Sequence, residues 1–212
     1  MRFTFFFLMA GLSATASGFR AGAAKADITP NSPQWLMGYA DRQSTGVLDH
    51  IYVRVVAMES NGTQMYLVSS DLTSFSPSVY DDVAAELERT MGIPRVNFWW
   101  AVTHSHSAPE VGPHGMGAAL HPTRGNHEWH RDYADFVKQS LIHAVAEARS
   151  KLEPARIAFG QGIAFANINR RAKDVSGPAF LGFNPDGPAD RQIGLIRLER
   201  PRRLRRLVRH PR

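Results

Sequence analysis

The sequence predicts a mixed α/β fold, a sheet with helices packed on it. Three observations carry this. Two runs rich in β-branched residues, "IYVRVVAME" and "QMYLVSSD", flank Asn61-Gly62, a strong hairpin-turn signal. Two stretches repeat apolar residues at helical spacing: Val79, Val83, Leu87 and Met91, then Trp129, Tyr133, Phe136, Val137, Leu141, Ala144 and Ala148. Between them lies Arg95 to Thr103, "RVNFWWAVT", an apolar run of strand length that suits the centre of a sheet covered on both faces.

The elements follow in chain order. "MRFTFFFLMAGLSATASG" has the pattern of an export signal. Arg2 supplies positive charge, Phe3 to Leu12 a short apolar core, and Ala14-Thr15-Ala16 small residues for cleavage. A membrane anchor needs about 20 apolar residues, which this run does not have. A buried N-terminal strand is the other reading. We take 1–18 as a signal peptide, with the mature chain starting near Gly18 or Phe19, secreted or periplasmic.

"AAKADITPNSP" reads as a short strand ended by Pro30 and Pro33. Ile51 to Glu59 and Gln64 to Asp71 form the hairpin. Asn61-Gly62-Thr63 also matches a glycosylation acceptor, but the turn accounts for it. Ser76-Pro77 opens the first helix, Ser as cap and Pro in the first turn, and Gly92 ends it. After Thr103 a long loop runs from Ser105 to Gly125, and Asn126 is expected to cap the second helix. Ala155 to Phe159 and Gln192 to Leu198 read as strands. Between these last two, "FANINRRAKDVSGPAFLGFNPDGPADR" is dense in Gly, Pro, Asn and Asp and reads as a loop. Both polar loops follow apolar segments, so they could share one sheet edge, where ligand sites are commonly built.

Composition narrows the function classes. The chain has 212 residues and 43% apolar content, as in an ordinary folded domain. It has no cysteine, which excludes disulfides and thiolate zinc sites. The formal net charge of +6 falls to −1 once the seven arginines of "RPRRLRRLVRHPR" (200–212) are set aside. A basic tail can bind nucleic acid or anionic lipid. The composition changes abruptly after Leu198-Glu199, however, as a shifted frame or truncated gene would produce. We therefore read 200–212 as an atypical Arg-rich tail and expect no nucleic-acid partner.

The chemistry gathers where apolar runs end. Residues two apart in a strand share a side, so His104 and His106 face one cavity if strand geometry continues through them. Histidine is a common zinc ligand, and His-x-His after a buried strand is a plausible half-site. The alternative is that the rings only hydrogen-bond loop carbonyls. Asp71, in "LVSSDLTS", could ligate a metal, orient a ligating histidine, or serve as a turn residue. His114, His121 and Glu110 are further loop candidates. His127, His130 and His143 read as structural residues in the first turns and on the flank of the second helix. Arg170, in "NINRR", could hold a substrate oxygen or carboxylate by paired hydrogen bonds, or be a surface arginine, as we read Arg171.

Several segments resemble, in order, the neutral/alkaline non-lysosomal ceramidases: "AAKADITP", "LMGYADRQSTGVLDHIYVRVVAME", "LVSSDLTS", "AVTHSHSAPEVGP", "NINRR" and "GFNPDGPADRQIGLIRLE". The similarity runs from about Ala21 to Glu199, and we treat 19–199 as a partial ceramidase-like N-terminal domain. The resemblance implies an exported or membrane-associated zinc amidohydrolase that cleaves ceramide into sphingosine and a fatty acid. It implies that His104 is a Zn2+ ligand, and that His106 lies beside the metal and contacts substrate or bound water. It also implies that Arg170 helps hold the substrate. Zinc-bound water would attack the amide carbonyl. The implied partner is a lipid-like substrate met at a membrane surface.

The sequence also departs from the family. There, a second zinc histidine follows the "GLIRLE"-like strand in an Asn-x-x-x-His-Pro context, and Glu and Tyr ligands come later. His210-Pro211 matches that pair only superficially, and the later ligands have no counterpart. Three readings stay open: a ceramidase-like hydrolase left incomplete, another exported metal-dependent amide or ester hydrolase, and a non-catalytic fragment.

Overall fold

The computed structural model describes residues 18–36, 38, 42–113, 123, 127–173 and 177–201. The leader up to residue 17, His114, His121, Asn126 and His210 lie outside the described residues. The chain divides into two compact units that meet at Pro154 and Ala155.

The first unit is a five-stranded sheet with two helices. Strand β1 (Arg20–Asp27) is followed by the two-residue strands β2 (Trp35–Leu36) and β3 (Arg42–Gln43), which pair with each other. Strands β4 (Tyr52–Ser60) and β5 (Thr63–Ser70) pair antiparallel from Val53↔Ser70 to Ser60↔Thr63. The turn between them has φ of 51° at Asn61 and 79° at Gly62, the left-handed conformation that this dipeptide adopts at least cost. Short β6 (Ser74–Phe75) leads into helix α1 (Pro77–Met91), which starts after Ser76 and stops at Gly92 in the left-handed region, φ 65°. A 3₁₀ turn, Arg95–Asn97, precedes β7 (Phe98–Val102), which pairs parallel with β5. Then come β8 (Glu110–Val111), helix α2 (Arg131–Ser150) and β9 (Glu153–Pro154). The strand order is β7-β5-β4-β1-β9.

Alternation along the strands makes one inner face. Val53, Val55 and Ala57 of β4, Tyr66 and Val68 of β5, and Phe98 and Trp100 of β7 are buried. They meet Val79, Val83 and Leu87 of α1 and Tyr133, Val137, Leu141, Ala144 and Ala148 of α2 in one cluster. Both helical stripes predicted from spacing thus reach the core. Four expectations need correction. Helix α2 starts at Arg131 with His130 in the cap position, so Trp129 precedes the helix and Phe136, 45% exposed, leaves its buried stripe. The strand expected over Arg95–Thr103 is shorter. It also lies at an end of the sheet rather than its centre, with Trp99 61% exposed on the other face. An apolar run shows that a strand is greasy but not which of its residues face the core.

The second unit contains antiparallel β10 (Arg156–Ile163) and β13 (Gln192–Glu199), paired from Arg156↔Glu199 to Ile163↔Gln192. The stretch between them, expected as loop, contains a further hairpin, β11 (Asn169–Ala172) with β12 (Phe180–Asn184). Asn169 explains why it folds: its Oδ1 accepts from Arg171 N at 2.8 Å and its Nδ2 donates to Pro188 O at 2.8 Å. Among the described residues no helix is long and apolar enough to cross a membrane.

Candidate functional site

Strand β7 delivers the chain to the candidate site. Its last ladder pair is Ser70↔Val102, and Thr103 N still donates to Ser70 O at 2.9 Å. Strand geometry then stops. His104 has φ of 58°, a left-handed conformation uncommon for a residue with a Cβ. Such residues persist only where the surroundings hold them, and they cluster at functional sites. The two histidines therefore do not share a side through strand alternation. The backbone reversal brings them together: the Nε2 atoms are 3.3 Å apart and the rings meet edge to face, at 81° with centroids 4.9 Å apart.

Thr73 holds this loop in place. It is buried, and its Oγ1 lies 2.6 Å from Ser105 O and 2.5 Å from Ala108 O, sharing one proton between two carbonyls. Its N–H donates to Pro109 O at 3.1 Å, and its own carbonyl lies 2.7 Å from His104 Nδ1. A carbonyl can only accept, so Nδ1 carries the proton; in the neutral ring the lone pair is then on Nε2, the atom that faces His106. Gly38 closes the other side. A Cβ there would lie 2.2 Å from His106 Cβ and 2.3 Å from its carbonyl oxygen, so only glycine fits.

Thr73 and Gly38 were not found from sequence as positioning residues. Thr73 stands two residues after Asp71 in the "LVSSDLTS" segment, where the acidic residue drew the attention. Asp71 takes the turn role among its three readings. Its Oδ2 accepts from Tyr52 N at 3.0 Å and from Arg54 at 2.7 Å, tying β4 to the end of β5. Glu110 on β8 accepts from Ser74 at 3.3 Å. His127 stacks on Trp35 with centroids 3.7 Å apart, and His143 is exposed on α2. Arg170 belongs to the other unit, where it is exposed on β11 and its Nε donates to Gly182 O at 2.5 Å. At the end of β1, Asp27 is held at a pKa of about 2 by hydrogen bonds from the side chain and N–H of Thr29 and by His50, whose Nδ1 is 2.5 Å away.

The pair passes part of a test for zinc. Two nitrogens bound to one tetrahedral zinc at 2.0–2.1 Å are about 3.3–3.4 Å apart, and the observed separation is 3.3 Å. The second nitrogen of His104 engages a backbone carbonyl, as ligating histidines require. The number of donors is the part that fails: among the described residues no group of three His, Cys, Asp or Glu could hold a metal.

Comparison with known proteins supplies the relationship. The model of the neutral/alkaline non-lysosomal ceramidase N-terminal region matches residues 19–180, well over half of the chain. The chain belongs to this family. Two solved structures share its fold. A ceramidase complexed with C2 aligns with a TM-score of 0.69 at 24% identity, and the neutral ceramidase from Pseudomonas aeruginosa with 0.64 at 23%. Each alignment covers 85% of this chain and 29% of the other, so the chain spans under a third of the length of these ceramidases. No curated protein sequence matches it.

Proposed function

We propose that the chain carries the first part of an exported, zinc-dependent ceramidase-type amidohydrolase, with His104 as a metal ligand and His106 and Arg170 as substrate-side residues. The observation that carries this is the histidine pair, with the His104 Nδ1 proton fixed by Thr73 O and the two Nε2 atoms 3.3 Å apart, in a chain of this family. Zinc, when bound, lowers the pKa of a coordinated water to about 7 and polarises a carbonyl oxygen.

The chain's own residues do the rest. His104 presents Nε2 because Nδ1–H is committed to Thr73 O. We assign His106, packed against Gly38 and with its Nε2 3.3 Å from that of His104, to the substrate side: with the metal's donor set completed by other groups, its Nε2 would donate or accept a proton at the reacting amide. Arg170 offers a guanidinium to a substrate oxygen. The substrate is a ceramide-like lipid amide reached at a membrane surface, and the products are a long-chain amino alcohol and a fatty acid. The segment from Arg2 through the Phe3–Leu12 run supports export.

Among the described residues no third donor joins the histidine pair, and this favours a second reading, a non-catalytic portion of such an enzyme. Zinc content separates the two. One tightly held zinc per chain, lost in His104→Ala and retained in His143→Ala, is the expected result, together with chelator-sensitive release of a fluorescent acyl chain from labelled ceramide. A folded chain that binds no zinc at micromolar metal sinks the enzymatic reading. Turnover of simple amides or esters without ceramide would assign a different hydrolase substrate.

A further inference from the structure

The tip of the β4–β5 hairpin carries a motif that the candidate site does not use. Asn61-Gly62-Thr63 is the one Asn-x-Ser/Thr triplet in the sequence, the acceptor pattern for an N-linked glycan. The turn accounts for Asn61-Gly62, and the hydroxyl of Thr63 completes the acceptor. Ser60 to Thr63 are exposed, with Asn61 in the turn itself at φ of 51°. Neither the Asn61 side-chain amide nor the Thr63 hydroxyl has a hydrogen-bond partner among the described residues. A Cβ at Gly62 would meet nothing within 4 Å, so the space beside the acceptor is open. The ladder from Ser60↔Thr63 to Val53↔Ser70 spans about 24 Å at about 3.4 Å per residue. A glycan at the tip therefore leaves the histidine loop uncovered.

A cavity of about 350 Å3 begins beside the acceptor. Gly62 and Thr63 line it, together with Gln64, Asn97 and Arg149. The Gln64 amide donates to Glu59 and accepts from Tyr66, each at 2.7 Å. The Asn97 side-chain amide has no partner among the described residues. Arg149 donates from Nη1 to Met91 O at 2.8 Å, which leaves its Nη2 to a ligand. These donors suit the hydroxyl and acetamido oxygens of a sugar. The cavity is at the small end of ligand sites, with room for a sugar ring rather than a long chain.

We propose that Asn61 is an N-glycan acceptor and that the first sugar of the glycan lies in this cavity. In the transfer, Asn61 Nδ2 bonds to the anomeric carbon of an oligosaccharide carried on a polyprenyl diphosphate. The bond from that carbon to the diphosphate oxygen breaks, the diphosphate leaves with the electron pair, and the amide gives one proton to a base of the transferase. The assignment rests on the export reading and is independent of zinc and hydrolysis.

Cell-free synthesis with endoplasmic-reticulum microsomes tests the acceptor. A leader of established import, placed ahead of residue 18, makes entry independent of the native leader, so a failure of glycan addition is distinct from a failure of export. Protease-protected chain is expected to carry one glycan, removable by an N-glycan amidase, in the parent and in Thr63→Ser. Asn61→Gln and Thr63→Val are expected to carry none. Protected parent chain without a glycan overturns the proposal, as does a glycan that persists in Asn61→Gln. The cavity is tested on purified chain whose glycan is trimmed by an endoglycosidase to its first sugar. That form is expected to melt about 2–4 °C above chain made without the transferase, and Asn97→Ala should lose most of the gain. Equal melting temperatures, or a gain unchanged in Asn97→Ala, overturn the placement of the sugar.

Discussion

The two units of the chain solve the same problem differently. From β1 to β9, alternating strands and two amphipathic helices bury their apolar faces in one cluster. From Ala155 onward, the strands pair over eight residues, yet none of the described residues 155–201 is buried. Phe159, Phe165, Leu181 and Leu195 are 59% to 75% exposed. Backbone pairing alone contributes little net stability, because water satisfies the same groups in the unfolded chain. A lone two-stranded hairpin is marginal at best. Hydrogen bonds therefore shape the second region, while burial stabilises the first.

Hydrogen exchange sharpens this difference most. Amides of β4 and β5 should exchange on the order of 10³-fold more slowly than those of β10 and β13, because opening the first pair breaks the core. Equal protection would mean that the exposed faces are covered in solution. Core truncation should follow the same division. Leu141→Ala, at a fully buried position, should cost about 2–5 kcal/mol in urea unfolding, whereas Leu195→Ala should stay within about 0.5 kcal/mol. Comparable losses at both sites would remove the distinction.

Within the first unit, Thr73→Val should destabilise by about 1–3 kcal/mol, since it removes the proton shared by two loop carbonyls. The zinc affinity proposed above should fall more than in a surface control, because the lost hydroxyl anchors the loop that carries both histidines at Ser105 and Ala108. The smallest effect concerns acid. The folded-state pKa of Asp27 is depressed, so its contribution is complete above the unfolded value near 4. It is lost as the pH falls through about 2. Asp27→Asn should flatten that acid limb and leave stability at neutral pH only slightly reduced, the carboxylate being 45% exposed.

Much of the first unit was legible because its signals are local. Asn61-Gly62 allows few turns other than a hairpin, Ser76-Pro77 and Gly92 bracket a helix, and the 3.6-residue stripes name the buried positions Val83, Leu87 and Leu141. The errors came from long-range placement. Nothing in "RVNFWWAVT" says that its neighbour lies on one side only among the described strands, and nothing in "NINRR" announces a hairpin partner that begins at Phe180.

The sequence by itself determined the helices, the main hairpin, the family and the presence of paired imidazoles after an apolar strand. Tertiary structure alone decided how those imidazoles meet. The positive φ at His104, the carbonyl of Thr73 some thirty residues upstream, and the backbone of Gly38 all act through space. Local propensity is encoded in neighbouring residues, whereas a donor's direction depends on whichever distant backbone the fold brings alongside it.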